Sequence, residues 1–194
     1  GLAAAADVAF VAKSFPIVGA THPDSPALML LAVQLRLGYL WEEVRAKRGA
    51  YGVQASYNQL DGIFTFSSYR DPHVLETLQA YAGVFDHVRQ QMDLTPAAVE
   101  QAIVGTVKIM DRPIRPGQAG MTALTRRLHG MTPQFRKQFR RRLLGLTAAD
   151  IQRASGQVLE PAFAGAPVCV LSSREKLEAA NRASEEGPFS ISDV

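Results

Sequence analysis

The chain has 194 residues, 47% of them apolar and 20% charged, with a formal net charge of +3; this is the profile of one soluble globular domain that needs no covalent staples. A single cysteine excludes an internal disulfide framework, and so small a charge gives the chain as a whole no strong pull on nucleic acid or an anionic membrane. No apolar run nears the roughly 18 residues of a membrane span, and the alanine-rich start GLAAAADVAF lacks the basic stretch that opens a signal peptide.

Asp7 to Phe15, DVAFVAKSF, is rich in β-branched and aromatic residues and reads as a strand that Pro16 ends. HPDSPALMLLAVQLRLGYLWEEVRAK follows, with Ser25 before Pro26 as a helix start and apolar residues at helical spacing through Leu40. It is too apolar for a surface helix, and its charged end WEEVRAK reads as a separate short turn after Gly38. AYGVQASYN and GIFTFSSYR alternate at period two around QLDG, whose Asp61-Gly62 is the turn signal, so a hairpin at the centre of a sheet is expected.

A capping side chain followed by proline recurs at Asp71-Pro72, Thr95-Pro96 and Thr132-Pro133, while Thr147 with Asp150 makes a weaker start without proline. Helices are predicted near 72–91, 95–111, 132–144 and 147–159, with another near 118–129. DRPIRPGQAG, with two prolines and two glycines, is predicted as a surface loop. PVCVLS returns as a strand that buries the Cys169 thiol, which suits a reducing compartment, and SREKLEAANR as a short helix. This order indicates a single α+β domain over 1–182, a mainly antiparallel sheet with helices packed on one face. Residues 183–194 read as a tail or linker, and the start at Gly1 suggests a processed product or a piece of something larger.

Side chains able to carry chemistry are sparse. There is no G-x-S-x-G elbow, no G-x-x-x-x-G-K-[ST] and no G-x-G-x-x-G, and the histidines His22, His73, His87 and His129 are far apart. HVLET at 73–77 misses the inverted zinc motif H-x-x-E-H because Thr77 stands where the second histidine must be, and a catalytic zinc needs three protein ligands. FRKQFRRRLLG puts Phe135, Phe139 and Leu143 in one helical stripe and turns Arg136, Lys137, Arg140 and Arg141 away from it. That is first a solvated helix face and second a patch for phosphate or an acidic partner, without interleaved exposed aromatics to stack on bases.

Arg45 and Tyr51 remain, flanking a Gly49-Ala50 break. Arg45 suits a helix C-terminus and Gly49 a left-handed stop. The same turn can bring both donors to one side, where they would hold a carbonyl oxygen or its developing oxyanion.

VRAKRGAYG and GIFTFSSYRDP, followed by AIVGTVKIMDRPIRPGQAG and RRLHGMTPQFRKQFRRRLLGLT, resemble the pitrilysin/insulinase-type zinc metallopeptidases in their presequence-degrading branch. The likeness runs from about Asp7 to Arg182. Members of that branch are long proteins built from four similar α+β domains, arranged as two halves that close like a clamshell on a peptide. The resemblance implies the last of those domains: C-terminal, substrate-binding and non-catalytic alone, in a zinc metalloendopeptidase that degrades unstructured peptides. It puts the zinc and its inverted motif in the first domain, outside this chain; the equivalent helix here, Ala27 to Leu40, has no histidine, and no cofactor is expected in the chain itself.

The resemblance further implies that Arg45 and Tyr51 reach the substrate backbone beside the zinc, with Gly49, Ala50 and Gly52 shaping the turn. Arg48 departs from relatives that often carry glycine there. The implied partners are the N-terminal catalytic half of the same polypeptide and a peptide substrate; no membrane is expected, and nucleic acid is the less favoured partner. The compartment would be the cytoplasm, or an organelle matrix in a eukaryote. Two alternatives stay open: an inactive interaction module of the same superfamily, and a nucleic-acid-binding domain that uses the basic helix.

Overall fold

Six strands line up in the order β3-β4-β2-β5-β1-β6 in the computed structural model, which describes residues 1–184 and 189–194. In chain order they are β1 (Leu2–Ala3), β2 (Phe10–Pro16), β3 (Gly52–Asn58), β4 (Ile63–Tyr69), β5 (Val168–Ser172) and β6 (Ser192–Asp193). β2 pairs antiparallel with β4 and β5, and β3 antiparallel with β4; β1 runs parallel to both β5 and β6. The fold is α+β, with a mainly antiparallel sheet as the residue pattern predicted.

The hairpin does not sit at the sheet centre, which corrects the expectation. β3 is an edge strand, and its polar Gln54, Ser56 and Asn58 are exposed. The middle goes to β2 and β5, and β4 joins the hairpin to β2, with Phe15 of β2 and Phe64 and Phe66 of β4 at ring-centroid distances of 5.1–6.3 Å in the core. An edge strand tolerates polar alternation that a strand covered on both sides would not.

Helix α1 (Ser25–Leu37) packs along β3 and is buried almost all round, with Ala27, Leu28, Leu30 and Leu31 fully enclosed. Ser25 is not its cap, contrary to the sequence reading. Its hydroxyl bonds the Tyr57 hydroxyl at 2.9 Å, and the boundary residue Asp24 is instead held by Arg153 at 2.6 Å. Helices α2 (Leu75–Ala82), α3 (Val84–Asp86), α4 (Pro96–Met110), α5 (Pro116–Leu128), α6 (Pro133–Leu144), α7 (Ala148–Arg153), α8 (Glu160–Phe163) and α9 (Arg174–Ala183) complete the shell.

The proline-led starts hold at Thr95 and Thr132, whose hydroxyls accept from the backbone N–H of Ala98 and Phe135. Thr147 does more than predicted: it forms a full capping box with Asp150. Asp71-Pro72 does less. Asp71 is fully buried in a turn ahead of α2, accepting from the His73 N–H at 3.0 Å and the Thr77 hydroxyl at 2.8 Å. The predicted loop shrinks to 111–115, because Pro116 opens α5 at the first helical position, where its missing N–H costs nothing. Gly117 and Gly120 then lie in an exposed helix where a Cβ would meet nothing.

Side chains alternate strictly through the four main strands. Val11, Phe15, Val53, Ala55, Phe64, Phe66 and Val170 are buried on one face, whereas no residue on the opposite face of β2 to β5 is buried. That places Cys169 on the uncovered face and leaves it exposed, correcting the expected buried thiol. The segment set apart at 183–194 starts at the end of α9. Residues 185–188 lie outside the described ones, and beyond them Asn181 brackets the Phe189 backbone at 2.6 and 2.9 Å and β6 pairs with β1. Among the described residues no helix is long and apolar enough to cross a membrane.

Candidate functional site

After α1 the chain stays helical but widens. Over Trp41–Ala46 it forms a π turn, in which the Lys47 N–H reaches back five residues to the Glu42 carbonyl at 3.0 Å. Val44 is fully buried and anchors this turn, so its neighbour Arg45 faces solvent. Gly49 then takes the left-handed conformation, φ 79°, and closes the end: its N–H bonds the Arg45 carbonyl at 2.9 Å and the Ala50 N–H the Val44 carbonyl at 3.2 Å. Ala50 tucks inside, 3% exposed. Gly52 opens β3 opposite Tyr69.

Tyr51 emerges from this turn 68% exposed. Its N–H bonds the Arg70 carbonyl at 3.3 Å, and its ring meets Tyr69 edge-on at 5.8 Å, which in turn meets Phe10 edge-on at 5.2 Å. The aromatic chain fixes the ring while leaving the hydroxyl outside. Among the described residues neither that hydroxyl nor the Arg45 guanidinium has a hydrogen-bond or ion-pair partner, and no hydrogen bond joins the two.

Charge around the turn is sorted by one carboxylate. Glu43 accepts from Lys47 at 2.6 Å and from Arg48 at 2.9 Å, and Arg48 also caps the Glu43 carbonyl at 2.5 Å. The Lys47 hydrogen bond, followed by that from Arg48, holds the Glu43 carboxyl below its ordinary value, and Glu43 holds the Lys47 ammonium above its own. Two of the turn's cations are thus committed, and Arg45 is the one left over. Arg48 serves as an outer brace of the π turn.

Sequence reasoning missed Tyr69 and Arg70. Arg70 has a positive φ of 49°, sparsely populated for a residue other than glycine, and its guanidinium lies 6.0 Å from the Tyr69 ring. A signal was present: counting back from the Asp61-Gly62 turn in hairpin register sets Tyr51 opposite Arg70.

The remaining candidates do not converge. His73 and Glu76 are surface neighbours 3.6 Å apart, and Thr77 is buried on Asp71. Among the described residues no group of three or more His, Cys, Asp or Glu side chains is placed to hold a metal ion. The described donors are therefore too dispersed to fit zinc. On α6, Phe139 and Leu143 are buried and Arg136, Lys137 and Arg141 exposed, as the stripe predicted. What the Arg45-Tyr51 turn can do chemically is donate hydrogen bonds to an oxygen.

Comparison with known proteins adds a frame. Residues 2–171 match the family model described as "PreP C-terminal domain". The chain is 33% identical over 153 residues to the mitochondrial presequence protease of Kluyveromyces lactis, covering 79% of this chain and 15% of that protein. It is 29% identical over 174 residues to presequence protease 1, chloroplastic/mitochondrial, of Arabidopsis thaliana, covering 90% and 16%. In three dimensions it resembles the crystal structure of a protease from Helicobacter pylori with a TM-score of 0.68 and 18% identity, over 86% of this chain and 41% of that one. The chain spans about 15% of the length of the curated relatives it matches.

Proposed function

The chain belongs to the PreP C-terminal domain family, and from that membership we propose that it is the substrate-binding domain of a zinc metalloendopeptidase that degrades unstructured peptides. The observation that carries this reading is the pair of exposed donors without partners among the described residues, Arg45 and Tyr51, held on a turn whose other cations are already engaged. In the whole enzyme the Arg45 fork and the Tyr51 hydroxyl bind the oxygen of the scissile peptide carbonyl and gain strength as that oxygen becomes an oxyanion. Gly49, Ala50 and Gly52 set the turn from which they act.

In this reading zinc and the groups that attack the peptide belong to the N-terminal half of the enzyme, a division supported by the absence of a metal-holding cluster among the described residues. The printed names of the relatives, mitochondrial and chloroplastic, favour an organelle matrix over the cytoplasm. The test is peptide turnover by the full-length protein carrying Arg45→Lys, which keeps the charge but loses the planar fork. We expect kcat/KM to fall at least about tenfold with the unfolding midpoint unchanged. Turnover equal to the parent's would remove Arg45 from the reading, and a parent that turns over no peptide would favour an inactive interaction module.

A further inference from the structure

The modest net charge conceals a segregation. Residues 108–142, the end of α4 through most of α6, hold ten of the chain's 21 Lys and Arg but one of its 18 Asp and Glu. The rest of the chain therefore carries an acidic excess. Among the described residues only Arg140 of those ten cations has a carboxylate partner, Asp111. Such a density of unpaired charge repels itself and is stabilised by an anion.

The same region encloses a cavity of about 470 Å³ between α1, the end of α4, α5 and α6. Its lining combines apolar, adaptable Met29, Met110, Met131 and Phe139 with cationic Arg126, Arg136 and Lys137, while Asp111, which also lines it, is neutralised by Arg140. Ligand pockets fall in this size range and combine an apolar lining with a few polar groups. α5 buries none of its residues and turns Met121, Leu124 and Leu128 to solvent, 68%, 50% and 75% exposed. Exposed apolar stripes of this kind mark surfaces that another molecule covers.

We propose that the α5–α6 unit and its cavity bind an acidic polypeptide segment that inserts one apolar side chain between Arg126, Arg136 and Lys137. The chemistry selects this occupant. A single small carboxylate would engage one or two cations and leave the remainder, including Arg112, Arg115, Arg127 and Arg141, unmatched. A bilayer surface offers no protruding group to fill a concave floor. Single-stranded nucleic acid draws on aromatic faces for its bases, and the Phe, Tyr and Trp of 108–142 are Phe135 and Phe139 alone, which lie against each other 6.3 Å apart rather than exposed; duplex phosphates would meet the cations but leave the apolar lining unfilled. The site is at the Gln59 end of the hairpin. It is separated from Tyr51 by the length of β3, about 20 Å, and stands whether or not Arg45 and Tyr51 serve a peptidase.

The experiment titrates the 194-residue chain into a fluorescent synthetic peptide of glutamates around a central Leu-Phe pair, read by anisotropy at low and physiological salt. Saturable binding that weakens with salt is expected. The double variant of the half-buried Arg126 and the exposed Arg136, Arg126→Glu/Arg136→Glu, should lose at least about tenfold in affinity with an unchanged unfolding midpoint. A peptide with Gly-Ser in place of Leu-Phe should bind the parent chain more weakly, a comparison that needs no protein variant. No binding, equal binding of the Gly-Ser peptide, or better competition by single-stranded RNA or anionic vesicles would each overturn the proposal.

Discussion

Replacing Tyr51 by Phe removes one oxygen atom and nothing else. The ring keeps its edge contact with Tyr69 at 5.8 Å, and the backbone N–H keeps its bond to Arg70. The lost hydroxyl is exposed and has no partner among the described residues, so folding forfeits no hydrogen bond, and the stability change should stay within about 0.5 kcal/mol. Turnover should respond differently. If the hydroxyl donates to the oxyanion, its loss costs about 3–4 kcal/mol of transition-state stabilisation, or roughly 10²–10³ in kcat. The assay measures kcat, KM and the unfolding midpoint of the full-length protein on an unstructured peptide. A fall concentrated in kcat supports the reading, because an interaction made only in the transition state leaves KM in place. A lowered midpoint with kcat/KM intact would refute it and make Tyr51 a strand-start aromatic only.

Gly49→Ala should lower stability by about 1–2 kcal/mol, because its φ of 79° strains any L side chain even though a Cβ there would only touch Pro72 at an ordinary 3.8 Å. By moving Tyr51 it should also reduce kcat/KM; an intact kcat/KM would show that the turn does not position the site. Thr147→Ala should cost about 1 kcal/mol at neutral pH by removing a helix cap. The Thr147 hydroxyl, then its N–H, hold the Asp150 carboxyl below its ordinary value. That stabilisation is full above the unfolded pKa and is lost as pH falls through the lower folded one. The variant's penalty in thermal melts should therefore narrow below about pH 4, and a constant penalty would contradict it. After dialysis the 194-residue chain should retain no stoichiometric zinc by metal analysis, and one zinc per chain lost in His73→Ala would reverse that expectation.

What was legible in the sequence was local. Thr95-Pro96, Thr132-Pro133 and Asp61-Gly62 announce their elements because a cap or a turn is decided within four residues. The hairpin's place at the edge was not legible, since strand order depends on pairings between β2, β4 and β5 across the whole chain. Cys169 was misread by a single step of alternation: shifting a strand's facing by one residue exchanges core and open face. Pro116 and Gly117 read as loop because the signals for a helix start and for a break are the same residues. Asp71 looked like a cap but serves a buried turn, which only the tertiary contact with Thr77 reveals. At the site, Arg45 and Tyr51 were visible as an odd pair, whereas the sorting of Lys47 and Arg48 onto Glu43 depends on the π turn's geometry.

That π turn has a consequence for how this domain can change. A π turn is an α-helical turn holding one extra residue, so Trp41–Ala46 is a single deletion away from ordinary helix. Substitutions around it alter what Arg45 is, but leave where it points. A one-residue deletion within the turn would instead rotate everything downstream by about 100° about the helix axis, carrying Gly49 and Tyr51 with it. In this segment insertions and deletions, rather than amino-acid exchanges, are the mutations that re-aim the side chains.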